Sequence, residues 1–389
     1  MNSLDNVRIA RVSTIPFFVY TQLRTQLEAL ADSGALVSII TSDDELSKKI
    51  KTIQGCTFKF LFIARKINPF SDLIALIKLW RIFRKEKYQI VHSTTPKAGL
   101  LCAIAAKLAG VPICIHTFTG QPWVTMTGIK RFLVKWSDKL IAKLDTYCYA
   151  DSRSQCDFLI KNKIIAPNKL NVIGNGSLAG VDINRFSHDN FSDEDKIKLK
   201  AQYDIEPSAK ILLFVGRVTR EKGIFELIEA IQNLINKGQN IVLIVLGPFE
   251  QHNEQDVRSY AEKMCGKRVV FAGFHQEPER FMFASDLLCL PSYREGFGTV
   301  VIEAAAMGLP VIGTNIYGLK DAIIDGETGL LVEPKNSEQL TQVLDQLLSD
   351  DSLRRIMGNK ARERARINFD SKQCNELLIK EYEHLLNQI

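Results

Sequence analysis

Apolar and polar positions in the first half of the chain follow the pattern of strands separated by helices. Short apolar runs such as Val7–Val12 and Val111–Thr117 predict strands, and longer stretches of helical period lie between them. Proline starts the helix Pro69–Lys87, and Gly110 ends the helix Lys97–Ala109. The other predicted strands are Leu36–Thr41, Phe58–Ile63, Gln89–His92 and Thr146–Ala150, and the other helices are Val19–Asp32, Ile129–Leu144 and a segment from Ser152 to about Lys161. This alternation predicts a parallel sheet with helices on both faces.

The second half repeats the pattern after a polar segment, residues 181–208, and we place the domain boundary near residue 186. Its predicted strands are Ile211–Val215, Ile241–Leu246, Val269–Ala272, Leu287–Leu290 and Pro310–Gly313. Its clearest predicted helices are Gly223–Asn236, Ser337–Ser349, Ser352–Asn368 and Ser371–Leu386. The chain is therefore predicted to be an α/β protein with two Rossmann-like domains, residues 1–186 and 187–370, which hold a ligand in a cleft at the carboxyl ends of their strands.

Length and composition agree with two soluble domains. The 389 residues exceed what one core usually fills, and 46% hydrophobic with 24% charged residues is ordinary for an α/β protein. No apolar run is long enough to span a bilayer, and residues 1–30 lack a signal-peptide pattern. The eight cysteines form no C-x-x-C pair, so we expect reduced, buried thiols in a cytoplasmic protein and no zinc site.

Charge differs between the two halves. Residues 1–185 contain 26 Lys and Arg against 13 Asp and Glu, whereas the remainder contains 24 against 31. In the predicted helix Ile129–Leu144, basic residues recur every four positions beside an apolar stripe; the basic ones are Arg131, Lys135, Lys139 and Lys143, and the apolar ones are Phe132, Trp136 and Leu140. Such helices suit an anionic membrane surface. Solvated faces over an ordinary core are the alternative, and a nucleic-acid partner is disfavoured because no recognition module is present and the other half is acidic.

The stretch Pro291–Glu303 concentrates the candidate chemistry. Glu295 and Glu303 are separated by seven residues, and residues 296–298 spell GFG between them. A strand thus runs through a glycine turn into a helix that begins near Thr299, and the free N–H groups and positive dipole end of such a helix suit a phosphate. Glycine turns join many strands to helices, so the turn alone is a weak signal. The two spaced glutamates and the rest of the C-terminal half make the prediction of a ligand site strong.

A second glycine turn follows the strand Ile211–Val215, in the segment GRVTREKG. Gly216 permits a tight turn, and Arg217 and Lys222 place positive charge at the carboxyl end of the strand. A diphosphate bound at the Gly298 helix start would need such neutralisation. Two solvated charges on a loop are the alternative interpretation of these residues.

Three further groups of residues are weaker candidates. Residues 193–195 spell Asp-Glu-Asp, but they lie beside KIKLK in the polar segment, so we interpret them as a helix start and predict no metal. His92 and His116 end strands, and each either contacts substrate or is a hydrogen-bonded strand-end residue. Thr119 and Gly120, in the segment HTFTGQPW, are predicted to line the cleft.

The motifs together resemble a known family. GR at 216–217, EKG at 221–223, PSYREGFG with Glu303, and DGETGLLV at 325–332 look like the donor half of the family 4 retaining glycosyltransferases, which have the GT-B fold. The stretch STTPKAGLLCAIAAKLAGVPICIHTFTG and the segment 174–186 are similar to the subgroup that builds bacterial surface polysaccharides on polyprenyl diphosphate. The resemblance covers nearly the full chain, and it is most specific over residues 170–350.

The resemblance implies roles for the candidate residues. Arg217 and Lys222 would hold the diphosphate of a nucleotide sugar with the amides around Gly298 and Thr299. Glu303 would bind the ribose hydroxyls, and Glu295 the sugar hydroxyls or the positive charge that develops at the anomeric carbon. These implied roles make Glu295, Arg217 and Lys222 the catalytic candidates. The first domain would bind a lipid-linked saccharide acceptor at the inner face of the plasma membrane, and the family's usual arrangement would add the last helix, 371–389, to that domain.

The chain departs from many relatives in two places. The loop after the first strand, STIPFFV at 13–19, lacks the usual glycines, and Thr119 stands where many relatives have a histidine. No catalytic histidine is therefore assigned, and His116 is kept only as a candidate. Three alternatives stay open: an epimerase or hydrolase of nucleotide sugars with the same fold, a non-catalytic nucleotide-binding scaffold, and a dinucleotide oxidoreductase, which the missing G-x-G-x-x-G disfavours. The sugar is unassigned, and UDP is preferred over GDP as its carrier.

Overall fold

The computed structural model describes residues 4–45, 47–64, 67–250 and 254–389. They form two compact units. Unit 1 comprises the chain up to Gly180 together with Ser371–Ile389, and unit 2 comprises Val181–Asp370. The predicted boundary near residue 186 thus falls just inside unit 2. Within the ranges given above, no helix has the length and apolar character needed to cross a membrane.

Unit 1 is built on a seven-stranded parallel sheet in the order β3-β2-β1-β4-β5-β6-β7. Its strands are β1 Arg8–Val12, β2 Leu36–Thr41, β3 Cys56–Phe60, β4 Ile90–Ser93, β5 Ile113–Phe118, β6 Tyr147–Ala150 and β7 Leu170–Asn171. Its first seven helices are α1 Pro16–Phe18, α2 Arg24–Asp32, α3 Ser47–Ile50, α4 Pro69–Glu86, α5 Pro96–Ala109, α6 Gly128–Leu144 and α7 Arg153–Lys161.

Unit 2 has a six-stranded parallel sheet in the order β10-β9-β8-β11-β12-β13. Its strands are β8 Lys210–Val215, β9 Ile241–Leu246, β10 Val269–Gly273, β11 Leu287–Leu290, β12 Val311–Thr314 and β13 Gly329–Val332. Its helices are α8 Asp193–Gln202, α9 Ile224–Asn236, α10 Glu254–Cys265, α11 Pro278–Ala284, α12 Thr299–Ala306, α13 Leu319–Ala322, α14 Ser337–Ser349 and α15 Asp351–Asn368. The last helix, α16 Ser371–Leu386, belongs to unit 1 and packs on α2.

Local sequence explains the clearest elements. The Asn68 side chain accepts a hydrogen bond from the Ser71 amide, Pro69 occupies the first turn, and Lys87 ends α4 in a left-handed conformation. All six residues of β9 are buried, because a parallel sheet covered by helices on both faces needs apolar side chains on both. The prediction of two Rossmann-like α/β domains is confirmed.

Three details differ from the sequence-based elements. The first helical segment begins at Pro16 rather than Val19 and continues through a π-helical turn, Val19–Leu23, into α2. The loop after β1 is therefore shorter than the predicted 13–19. The strands Leu170–Asn171 and Gly329–Val332 at the sheet edges were missed, because both are short and lie next to turn residues.

Candidate active site

The main candidate site lies where the sheet of unit 2 reverses its strand order. β8 and β11 are neighbours, and the chain continues from them toward opposite edges of the sheet. The segments 216–223 and 291–298 follow the carboxyl ends of these two strands. In open α/β sheets, such a reversal leaves a crevice at the carboxyl ends of the strands, and ligands bind there. The two motifs singled out in the sequence therefore meet at the position where this architecture binds ligands.

The two segments are braced against each other. Gly223 has φ +73°, and a Cβ atom there would lie 2.1 Å from the carbonyl oxygen of Pro291, so only glycine fits. The Tyr293 amide donates to the Glu221 carbonyl at 2.8 Å. The Arg294 guanidinium donates twice to Glu221 Oε2, at 2.7 and 3.1 Å. These contacts hold the segments in one fixed arrangement.

Lys222 and Glu295 form an ion pair at this junction. Their side chains are 19% and 13% exposed, so the pair is largely shielded from water. The hydroxyl of Ser292 donates to the same carboxylate oxygen, Glu295 Oε1, at 2.8 Å, and the Ser292 carbonyl accepts a hydrogen bond from the hydroxyl of Thr314. Glu295 Oε2 has no hydrogen-bond partner in the described part of the chain. One oxygen is thus fixed by the protein, and the other remains available to a ligand.

The helix α12 begins without a side-chain cap. Gly298 occupies the N-cap position with φ +88°, and a Cβ atom there would lie 2.7 Å from Leu319 Cδ2. The amide of Val301 donates to the Gly298 carbonyl, whereas the amides of Thr299 and Val300 have no partner among the residues described. Two main-chain donors and the positive end of the helix are therefore available to an anion.

Glu303 lies four residues after Thr299, which places both on one face of α12. It is half-buried, and its carboxylate accepts no hydrogen bond from the residues that the structure describes. Burial raises the pKa of its carboxyl group to about 7, and Glu279 adds to the rise while the Arg185 guanidinium opposes it. Arg185 itself donates to both oxygens of Glu279, at 3.0 and 2.9 Å. Glu303 is therefore a carboxyl group without a fixed partner, close to a fixed Arg–Glu pair.

Arg217 is more exposed than the other candidate cation. Its side chain is 52% exposed and forms an ion pair with Glu250, which is 55% exposed. The preceding residue, Gly216, donates its amide to the Leu246 carbonyl at 2.9 Å, which fixes the start of the segment against β9. An exposed ion pair of this kind contributes little stability, so exchange of Glu250 for another anion costs little.

The candidates of unit 1 differ in accessibility. His116 is 1% exposed, its Nδ1 lies 2.8 Å from the Ser93 hydroxyl oxygen, and a Cβ atom on Gly99 would lie 2.5 Å from its Cε1. Burial lowers the pKa of His116 to about 3. This geometry matches the strand-end interpretation, and contact between His116 and substrate stays a prediction. Thr119 and Gly120 are half-buried after β5, and the Thr119 hydroxyl donates to the Thr94 carbonyl at 2.9 Å.

His92 belongs to a buried polar network in unit 1. Its Nδ1 lies 2.6 Å from the Tyr382 hydroxyl and its Nε2 lies 2.7 Å from the hydroxyl of Thr117. Arg11, only 2% exposed, donates to Tyr382 at 3.1 Å and to Gln26 Oε1 at 2.6 Å. The network joins α16 and α2 to the sheet. Sequence inspection missed it, because Arg11 and Tyr382 are far apart in the chain.

The basic helix α6 turns its predicted apolar stripe outward. Phe132 and Trp136 are 68% and 53% exposed, and Leu140 is half-buried. The buried face contains Asp138, which is 1% exposed and accepts a hydrogen bond from Trp123 Nε1 at 2.7 Å. Burial raises the pKa of Asp138 to about 7, and the bond from Trp123 opposes the rise. The apolar stripe of α6 is therefore exposed, and binding of this helix to a membrane stays a prediction.

The residues Asp193, Glu194 and Asp195 form the first turn of α8, as predicted. Ser192 and Asp195 make a capping box, and Glu194 pairs with Lys198 at 2.9 Å. In the ranges that the structure describes, no cluster of three or more His, Cys, Asp or Glu side chains is arranged to hold a metal ion.

Sequence motifs contain most of the candidate residues of this site, but they did not identify the residues that hold the candidates in place. Lys222 and Glu295 come together, while Arg217 pairs separately with Glu250. Ser292 and Arg294 lie inside the motif PSYREGFG, and Glu221 lies inside GRVTREKG, so position in the motifs was the only available signal for them. Nothing in the local sequence indicated the Arg185–Glu279 pair, whose members are far apart in the chain.

Comparison with known proteins places both halves of the chain. The family model of glycosyl transferases group 1 matches residues 195–364, and the model of glycosyl transferase 4-like proteins matches residues 13–144. The first range contains Arg217, Lys222, Glu295 and Glu303. The second contains His116 and the residues that follow β5. Each group of candidates thus falls inside a matched range.

Individual relatives are similar over most of their length. The chain is 33% identical to the capsular polysaccharide biosynthesis glycosyltransferase CapM of Staphylococcus aureus, and the match covers 94% of each chain. It is 28% identical to the UDP-Gal:alpha-D-GlcNAc-diphosphoundecaprenol alpha-1,3-galactosyltransferase of Escherichia coli, over 78% of this chain and 77% of that protein. The crystal structure of Anabaena Alr3699/HepE in complex with UDP-glucose has a TM-score of 0.82 at 20% identity, covering 99% of this chain and 100% of the other, and it shares the fold.

Proposed function

Because the chain belongs to the family 4 glycosyltransferases, which have the GT-B fold, we propose that it moves a hexose or N-acetylhexosamine from a nucleotide sugar to a saccharide linked to polyprenyl diphosphate. We further propose UDP as the carrier, retention of the anomeric configuration, and a role in surface-polysaccharide assembly. The names of two relatives support this choice, since one acts in capsule biosynthesis and the other uses UDP-Gal and a diphosphoundecaprenol acceptor.

One observation carries the proposal. Lys222 and Glu295 meet at the reversal point of the unit 2 sheet, beside a helix whose first amides have no partner in the described ranges. A diphosphate placed there would take its charge compensation from Lys222 and from the amides of Thr299 and Val300. Glu295 Oε2 would then accept hydrogen bonds from the sugar, and Glu303 from the ribose hydroxyls.

The reaction needs no covalent enzyme intermediate. As the bond between the anomeric carbon and the diphosphate oxygen breaks, an acceptor hydroxyl forms a new C–O bond on the same face of the sugar. Its proton passes to the departing phosphate oxygen, and the nucleoside diphosphate leaves. Lys222 and the amides stabilise the charge that grows on the diphosphate, and the Glu295 carboxylate stabilises the oxocarbenium-like carbon. No metal enters this scheme, so activity should persist in EDTA.

Arg217 is the second cation proposed for the diphosphate. Arg217 pairs with Glu250 at an exposed position, so binding of the donor requires that Arg217 exchange one anion for another. Because an exposed ion pair is worth at most about 1 kcal/mol, a diphosphate competes readily with Glu250. Loss of Arg217 should therefore weaken donor binding more than it slows transfer.

The proposed acceptor determines the proposed location. A saccharide on polyprenyl diphosphate is held in a membrane, so we propose that the enzyme is cytoplasmic and peripheral to the inner face of the plasma membrane. The excess of Lys and Arg in residues 1–185 supports attraction to anionic lipids. Unit 1 would bind the acceptor, with His116, Thr119 and Gly120 as candidate contacts, and no nucleic acid is expected as a partner.

A transfer assay with a panel of radiolabelled nucleotide sugars tests the proposal. The purified protein is incubated with each donor and a short-chain polyprenyl-diphosphate saccharide, and the label is then measured in the organic extract. We expect label in the lipid product from one UDP-sugar, and an anomeric configuration by NMR that matches the donor. Free labelled sugar without lipid product would indicate a hydrolase or epimerase. Donor binding with no turnover would indicate a nucleotide-binding scaffold.

A further inference from the structure

Two helices of unit 1 carry apolar side chains on the face that points away from the core. In α4, Phe70, Leu73, Ile74 and Ile77 are 76%, 54%, 40% and 38% exposed. The opposite face of the same helix packs Ala75, Leu79 and Phe83 into the core. The exposed four recur at helical spacing, so they form one continuous stripe rather than scattered positions. An apolar stripe of this kind on a surface helix indicates a binding surface.

The helix α6 repeats this arrangement. Ile129, Phe132, Leu133 and Trp136 are 79%, 68%, 46% and 53% exposed, while Ile141 and Ala142 of the same helix are buried. In unit 2, the exposed large apolar residues of the described helices, Ile197, Ile356 and Ile367, lie singly rather than in a stripe. The outward apolar face is therefore a property of α4 and α6 and not of helices throughout the chain.

Topology brings the two stripes to the same end of unit 1. The helix α5 packs against both α4 and α6, and the three connect successive parallel strands running from β3 to β6. Right-handed crossovers put such helices on one face of the sheet, antiparallel to its strands. The N-terminal halves of α4 and α6, which carry the stripes, therefore lie near the carboxyl ends of the strands. With neighbouring helix axes about 10 Å apart, the two stripes define a surface on the order of 20 Å wide.

The exposed charge around the stripes is basic. Downstream in α4 lie the exposed Lys78, Arg81, Arg84 and Lys85, and α6 adds the exposed Lys130, Arg131, Lys139 and Lys143. The acidic residues of these helices are engaged elsewhere, since Asp72 pairs with Lys97, Glu86 with Lys59, and Asp138 is buried. A partner for this surface must therefore combine an apolar phase with negative charge, as an anionic bilayer does. A second copy of the same surface would bring like charges together.

We propose that the N-terminal halves of α4 and α6 insert their apolar stripes into the interfacial region of an anionic bilayer, while the basic residues bind the phosphate headgroups. This deepens the membrane partner of the proposed function, because it assigns most of the binding to apolar insertion rather than to charge. Insertion also brings the carboxyl ends of the unit 1 strands close to the lipid surface. Aromatic residues such as Phe70, Phe132 and Trp136 suit the headgroup level.

Vesicle flotation with a triple variant tests the proposal. The variant Ile129→Ser/Phe132→Ser/Trp136→Ser removes the three most exposed of the four stripe residues of α6 without changing charge. Ile197→Ser/Ile356→Ser removes similarly exposed residues of unit 2 as a control. With vesicles of phosphatidylcholine and about 30 mol% phosphatidylglycerol, we expect partitioning of the triple variant to fall at least about tenfold, and the control to stay within about twofold of wild type. Raising salt to about 0.5 M should leave a substantial part of wild-type binding, because apolar insertion is not screened. Equal partitioning of the triple variant and wild type, or complete release of wild type by salt, would overturn the proposal.

Tryptophan quenching supplies a second readout. Bromine on the upper acyl chain should quench wild-type emission. Trp136→Phe should lose most of that quenching, since Trp123 is buried and Trp80 is half-buried in the C-terminal half of α4, outside the apolar stripe. Unchanged quenching in Trp136→Phe would contradict insertion of α6. Sedimentation of the wild type as a dimer that the triple variant fails to form, with vesicle binding unchanged, would identify a second copy as the occupant instead.

The docking surface and the proposed reaction can fail separately. Transfer to a water-soluble, short-chain acceptor should be the same in the triple variant and in the wild type, because no membrane is needed. If wild type transfers sugar to the soluble acceptor but does not bind vesicles, the insertion surface is wrong and the reaction stands. If wild type binds vesicles in the expected way and transfers nothing, the reaction is wrong and the surface stands.

Discussion

Arg11 of unit 1 and the two candidate cations of unit 2 lie in opposite environments. In unit 1, Arg11 is 2% exposed and donates to the neutral groups of Tyr382 and Gln26, and no carboxylate pairs with it in the described residues. In unit 2, Lys222 and Arg217 lie on segments that follow strands, and both are paired with glutamates. A cation sealed in a core can only support the fold, whereas a cation on a braced surface segment can exchange its partner for a ligand.

The apolar surface is distributed the other way. Unit 1 exposes two apolar helical stripes, and unit 2 places its helical apolar residues in the core, except at single positions. Unit 1 thus has exposed apolar helical surface, and unit 2 has little. A charged group or an apolar surface indicates a function only where it is not already required for packing or ion pairing within the fold.

Lys222→Ala should show the largest effect. Loss of a cation that stabilises the departing diphosphate should lower kcat by roughly 10²–10³-fold. The melting temperature should fall by only a few degrees, because the Ser292 hydroxyl still donates to Glu295 Oε1 after the lysine is removed. Lys237→Ala, which removes an exposed ion pair with Asp345 in the same unit, is the matched control and should keep its kcat. Steady-state transfer kinetics measure kcat, and calorimetry measures the melting temperature. A near-normal kcat in Lys222→Ala would contradict the proposed role of this lysine in the reaction.

Arg11→Ala should behave in the opposite way. Removing the buried guanidinium opens a cavity and deprives Tyr382 and Gln26 of a donor, so the free energy of unfolding should fall by about 2–4 kcal/mol. Arg24→Ala, which breaks an exposed pair with Glu28, should change it by less than about 0.5 kcal/mol. Urea unfolding measures the difference. Transfer activity per folded molecule should be retained in Arg11→Ala, and a specific loss of kcat would assign Arg11 to the reaction.

His116 should make unit 1 sensitive to acid. Burial lowers its folded-state pKa to about 3, below the ordinary value near 6.5, so the unfolded chain binds the extra proton. The stabilisation is complete above about pH 6.5 and is lost as pH falls toward 3. In His116→Asn, the slope of unfolding free energy against pH should be shallower by about 1.4 kcal/mol per unit between about pH 6 and pH 4. Identical slopes in urea unfolding would show that the folded protein protonates this ring.

Glu303 should confer a pH dependence on donor binding. Its folded-state pKa is raised to about 7, so the carboxylate that accepts ribose hydroxyls is lost as pH falls through 7. Donor affinity of the wild type should drop by up to about tenfold between about pH 8 and pH 6. Glu303→Gln should bind more weakly at pH 8 and vary little over that range. Calorimetric titration with the nucleotide sugar checks this, and a parallel pH dependence in both proteins would exclude Glu303 as its source.

Most helices and strands could be predicted from the sequence, whereas short edge strands and some helix starts could not. Strands such as Ile241–Leu246 were predictable, because a buried parallel strand is a continuous apolar run bounded by turn residues. Gly329–Val332 was not, because its short apolar run lies inside the turn-rich segment 325–332. The start of the first helix was placed at Val19 instead of Pro16, since the π-helical turn that follows has no simple periodic signal.

The candidate site divides in a similar way. Lys222, Glu295 and Glu303 could be predicted as candidates because each lies in a short motif whose geometry is local: a strand, a glycine turn and a helix start. The Arg185–Glu279 pair that influences Glu303 was not found, because its members are distant in the chain. The hydrogen bond from Ser292 to Glu295 could not be read from spacing either, since many serines near turns contact only water or main chain.

Sequence by itself determined the two α/β halves, the glycine turns and the residues that carry the proposed chemistry, because these follow from local conformation and periodicity. Only the tertiary structure decided which faces are used. In α6, the pattern predicted one apolar and one basic stripe, and the fold instead buries Asp138 against Trp123 and turns Phe132 and Trp136 outward. Helical periodicity fixes which side chains share a face. Which face is buried depends on neighbours far away in the chain, and their packing energies are absent from any local pattern.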